Sequence, residues 1–98
     1  MNHETVKYLR KELGLNIPKF SNLLGVSPST GYRWEHSPDK KLNLGPLQRK
    51  LLEKIQNSLI QKGSDEKKTW KKHLVRSLKI GGTLAALAFI LKDMAIKD

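Results

Sequence analysis

The 98-residue chain contains no cysteine. Disulfides and thiolate metal sites are therefore excluded, and a reducing compartment fits the absence. Acidic residues are scarce: nine Asp and Glu stand against 19 Lys and Arg, a formal charge of +10. No apolar run reaches membrane length. The most apolar uncharged stretch is residues 80–91, closed by Lys79 and Lys92, where a spanning helix needs about 20 residues. Residues 1–14 carry no apolar signal core, so no secretory leader is expected. Internal repeats and low-complexity segments are missing too. β-branched residues never cluster and no stretch alternates with period two, which argues against strands. His3, His36 and His73 do not pair at i+3 or i+4, so no metal is expected. There is no nucleophile elbow, paired-carboxylate site or phosphate-cradling loop, and Gly81-Gly82 reads as a helix break. A non-enzymatic protein without cofactors is the expectation.

What is present is positive charge and helical periodicity. A surplus of ten cations on so small a chain predicts an anionic partner. It is spread evenly: residues 1–58 hold ten basic and five acidic side chains, residues 59–98 nine and four, leaving +5 in each part. Chains of this length bury roughly 60–70% of the surface that the unfolded chain exposes, so a partner subunit would help.

The pattern predicts six helices. The first, residues 4–13, aligns Val6, Leu9 and Leu13 and ends at Gly14. The second, 18–24, has Asn16 as a cap and stops at Gly25. The third, 28–36, opens on Ser27 as cap and Pro28 in the first helical position. A turn at Ser37-Pro38-Asp39 leads to a fourth, 46–61, with Leu47, Leu51, Leu52, Ile55 and Leu59 as its stripe. Ser64 caps a fifth, to about residue 79, where Trp70, Leu74 and Leu78 repeat every four residues. Thr83 caps the last. The lysines at 67, 68, 71 and 72 read as a solvated face, and Trp70 as core. The expected boundary lies near Gly63: a four-helix bundle over residues 1–62 and a two-helix extension over 63–98.

Segment 17–35 fits a helix-turn-helix by geometry. Two short helices that cross closely need a small residue in the first, here Ser21, and a turn residue tolerating positive φ, here Gly25. Val26 and Trp34 face inward, leaving the other positions of the second helix for a partner.

The sequence resembles the Cro and phage-repressor family of helix-turn-helix regulators, the XRE family. The residues that carry the resemblance are Leu9-Arg10, Leu13-Gly14-Leu15, Phe20-Ser21, Leu24-Gly25-Val26-Ser27, Thr30, Trp34-Glu35, Gly45-Pro46, Leu51-Leu52 and Ile55. It covers about residues 4–60. The resemblance implies an all-α double-stranded-DNA-binding protein of bacterial or phage type, cytoplasmic, with helix 28–36 in the major groove. Pro28, Ser29, Tyr32 and Arg33 would read bases, Arg33 suiting the O6 and N7 of guanine. Asn16, Lys19, Ser27, Lys40, Lys41 and Asn43 would meet phosphates. Arg10 and Glu35 would bridge the first helix to the third. Two positions depart from the pattern. Ile17 stands where a phosphate-binding Gln is usual. Gly31 stands where Ile or Val is usual, which lowers helix propensity by about 1 kcal/mol against Ala and predicts a gap filled by Tyr32 or Trp34.

Residues 84–91 are apolar nearly all round, so that helix must be buried. One face is expected on the bundle and the other, with Leu84, Leu87, Ala88 and Leu91, on a second copy. A two-fold dimer would place two recognition helices about 34–36 Å apart on a palindromic site. The alternatives are folding back on the first and fourth helices, membrane attachment, which the short span opposes, and an antitoxin-type arm that captures a protein. The reading is a homodimeric repressor or autorepressor.

Overall fold

The computed structural model describes residues 1–38 and 42–96, and among these it is all-α. The helices are α1 His3–Glu12, α2 Ile17–Leu23, α3 Pro28–His36, α4 Pro46–Gln61 and α5 Ser64–Ile96.

Local chemistry explains the starts and stops. Asn2 caps α1 by accepting from the Thr5 N–H at 2.9 Å, and Asn16 caps α2 by accepting from the Lys19 N–H at 2.9 Å. Gly14 and Gly25 take φ of +70° and +72°, the left-handed conformation that ends a helix without a Cβ penalty. Gly63, expected only to end α4, also begins α5: its carbonyl accepts the Lys67 N–H at 2.7 Å, so Ser64 is helical instead of the cap.

The expected fifth and sixth helices form one kinked element. At Gly82 the backbone turns to φ 73°, ψ −161°, dividing α5 into limbs 64–81 and 83–96. Thr83, read from sequence as a cap, uses its hydroxyl differently. It donates to the Asn22 carbonyl at 2.5 Å, tying the second limb to α2.

One hydrophobic cluster draws on all five helices. It joins Val6 and Leu9 of α1, Phe20 and Leu23 of α2, Trp34 of α3, Leu52 and Ile55 of α4, and Trp70, Leu74, Leu78, Ala86 and Ile90 of α5. The cluster therefore draws Trp70, Leu74, Leu78, Ala86 and Ile90 from beyond Gly63. The limbs pack on α2 and α4, where the fold-back alternative named the first and fourth helices. Trp70 and Phe89 meet across the bend with ring centroids 6.1 Å apart. The connection into α4 is anchored by Leu42 and Leu44, both buried, and by the Leu42 N–H donating to the Met1 carbonyl at 3.2 Å.

Residues 64–92 are long and apolar enough to cross a membrane by length and composition, with mean hydropathy 1.6 in the most apolar window. The sequence count stopped at Lys79 and so missed this length. The segment bends at Gly82 and buries Leu74, Leu78, Ala86 and Ile90 on the core, while 17% of its most apolar window is buried.

Candidate nucleic-acid interface

α3 is built to present one face and bury the other. Ser27 Oγ accepts the Thr30 N–H at 3.3 Å and lies 3.1 Å from Thr30 Oγ1, and Pro28 occupies the first turn. Gly31, Trp34 and Glu35 are buried, whereas Pro28, Ser29, Tyr32, Arg33 and His36 are exposed.

Two anchors fix the buried face. In the first, Glu35 accepts from Arg10 Nε at 2.7 Å and from Arg10 Nη2 at 2.9 Å. The third donor of that guanidinium, Nη1, reaches the Leu15 carbonyl at 3.0 Å. The fork binds α3 to α1 and to the loop before α2.

The second anchor corrects the expectation of a gap. A Cβ built on Gly31 would collide with Ser21 Oγ, and would stand 3.3 Å from Ser21 Cβ and 3.5 Å from Ile17 Cγ2. The space beside Gly31 is already occupied from α2. Tyr32 points outward and Trp34 packs elsewhere in the core. The space beside Gly31 is taken by the Ser21 side chain, with Ile17 Cγ2 next to it.

The exposed face has its own order. Tyr32 and His36 stack with centroids 3.9 Å apart and planes at 18°. His36 Nδ1 lies 2.9 Å from the Tyr32 carbonyl, an acceptor only, so Nδ1 carries the proton. The i, i+4 spacing of these rings is the sequence signal for the stack. Arg33 Nη2 donates to Thr30 Oγ1 at 3.2 Å, which holds the guanidinium along α3. An open, mainly apolar groove of about 500 Å³ runs between the start of α2 and α3, lined by Ile17, Pro18, Pro28, Ser29, Tyr32 and Arg33. All four expected base-reading residues line it.

The expected phosphate contacts divide. Asn43 is exposed and shares a hollow of about 430 Å³ with Arg33 and Thr30. Asn16 and Lys19 are exposed at the start of α2, and Ser27 is exposed with its hydroxyl engaged by Thr30. Lys40 and Lys41 lie outside the described residues. Lys19 also lines a cleft with Lys79 and Thr83 of α5, a neighbour that the sequence did not point to.

Of the expected dimer residues, Leu84 is 79% exposed, Leu91 46% exposed and Ala88 exposed. Leu87 corrects the set, since it packs partly on its own core. Ile80, 75% exposed, stands on the other limb of α5, before the bend at Gly82.

Compared with protein-family models, with curated proteins and with solved structures, the chain matches none.

Proposed function

We propose that the chain is a helix-turn-helix regulator of the Cro and phage-repressor type that binds double-stranded DNA with α3 in the major groove. The observation that carries this reading is the exposed face of α3, with Arg33 and Tyr32 outward, held rigidly from beneath by the Arg10–Glu35 fork and by Ser21 and Ile17 against Gly31. Base readout needs side chains fixed on a rigid element. The charge of +10 supplies attraction to phosphates. Asn16, Lys19 and Asn43 fix register on the backbone, and Arg33 reads guanine.

Two copies act together, joined through the stripe Leu84, Ala88 and Leu91. Their i, i+4, i+7 spacing on the limb after Gly82 is a helical seam, and the small Ala88 at its middle permits close approach. The product is a homodimeric repressor or autorepressor on a palindromic site. The rival reading, an antitoxin-type arm holding a different protein, uses the same stripe.

Selection of bound duplexes from random DNA, followed by titration of the enriched duplex at several salt concentrations, tests the DNA reading. Affinity falls on the order of 10³–10⁵ between 50 and 200 mM salt if six to ten phosphates are contacted. Arg33→Ala relaxes the base preference, and Lys19→Ala weakens all sequences alike. Failure to enrich any sequence removes the specific-regulator reading. For assembly, solution mass is measured for the full chain and for Leu84→Glu. A wild-type chain that stays monomeric at tens of micromolar leaves the stripe to another protein.

A further inference from the structure

We propose that the groove between α2 and α3 is a seat for the C5-methyl group of a pyrimidine in the major groove, next to the guanine taken by Arg33. This rests on the DNA reading above and adds a specificity to it. The groove has the chemistry that a methyl group needs and a hydrogen-bonding edge does not. Ile17, Pro18 and Pro28 give it aliphatic walls, and the Tyr32 ring gives it an apolar face. Pro18 and Pro28 have no N–H to offer a base. Ile17 is half-buried, its Cγ2 beside the space next to Gly31, and it also lines the groove. Tyr32 is steadied by its stack on His36.

The rim supplies the polar half. Arg33 lines the same groove and lies along α3 through Thr30. A guanidinium beside an aliphatic wall matches two neighbouring base edges: the paired acceptors of guanine, and a pyrimidine whose methyl projects into the major groove. The net positive charge and Arg33 itself suit a polyanionic ligand. Thymine and 5-methylcytosine carry the same methyl, so both belong to the ligand class.

The test uses the full-length chain and the duplex enriched from random DNA. Each thymine adjacent to a guanine is replaced in turn by uracil, which removes only the methyl group. Affinity falls roughly 4-fold at the seated position, the worth of one buried methyl-sized group. In Ile17→Asn the thymine and uracil duplexes bind alike. A second pair of duplexes carries 5-methylcytosine or cytosine at the seated position, and the methylated one binds tighter by a similar factor. Enrichment of a sequence whose affinity ignores every thymine-to-uracil change overturns the methyl seat and leaves the DNA reading intact. Absence of salt-dependent duplex binding overturns the DNA reading itself. Should Ile17→Asn melt early, Pro18→Ser and Tyr32→Ser give the same comparison from the other walls; methyl discrimination unchanged in both overturns the proposal.

Discussion

Arg10 and Glu35, twenty-five residues apart in the chain, meet in a two-bond fork whose carboxylate side is 2% exposed and whose guanidinium side is 15% exposed. The fork spans α1 and α3. Cutting it from one side strands a buried charge, whereas replacing both partners removes the need for pairing. Arg10→Ala should therefore cost about 3–5 kcal/mol. Arg10→Met with Glu35→Leu should cost far less, and should match or exceed wild type if the site packs well. Urea unfolding followed by circular dichroism gives both values. Equal losses for the single and double replacements would contradict the argument.

Ser21 and Gly31 form the second test. Ala at 31 gains about 1 kcal/mol of helix propensity but meets Ser21 Oγ, a buried hydroxyl without a hydrogen-bond partner among the described residues. Gly31→Ala alone should be no more stable than wild type. Ser21→Ala with Gly31→Ala should recover stability beyond the sum of the single changes, with a coupling of about 0.5–3 kcal/mol. A double-mutant cycle by chemical denaturation reads it; strict additivity would show that the two helices do not touch there.

At Gly25 the cost lies in the backbone, because nothing stands within 4 Å of a Cβ built there and φ is +72°. Gly25→Ala should lose about 1–2 kcal/mol. Gly25→Asn should lose less, since Asn tolerates the left-handed region. Thermal melts of the two variants, ranked against wild type, check the order.

The limbs of α5 separate fold from assembly. Leu74 is fully buried, and Leu74→Ala should cost about 2–5 kcal/mol. Leu84 stands 79% exposed, so Leu84→Ala should leave the unfolding free energy of the isolated chain within about 0.5 kcal/mol. Denaturation of both variants at low protein concentration tests the contrast. A large loss at Leu84 under those conditions would mean that the stripe is already covered within one chain.

Much of this was legible beforehand, for local reasons. Ser27 with Pro28 announces the start of α3, and Gly14 and Gly25 announce ends, because caps and positive φ depend on the residues themselves. The Arg10–Glu35 pair came through resemblance alone, since a bond across twenty-five residues leaves no periodic trace. Gly31 was misread for a different reason. A missing side chain looks like a void from one helix, but its filling depends on the facing helix, here Ser21 with Ile17 beside it. Leu87 shows the same limit: an all-apolar helix has no sequence stripe to say which side turns inward. At Gly82 the break was visible, but the direction of the bend was not, because that follows from where Thr83 finds an acceptor on α2.

α2 is seven residues long, with α3 packed on one side and α5 on the other. A helix so short has little stability of its own and takes its order from its neighbours. Its two flanks therefore share one thermodynamic account: if seating a second copy on α5 firms α2 through Thr83 and Asn22, DNA at α3 finds its scaffold already ordered. Linkage then makes the effect mutual, DNA tightening the pair by the same factor by which the pair tightens DNA. Cooperativity in such a protein would reside in its smallest helix, which in this reading owes its shape to both partners.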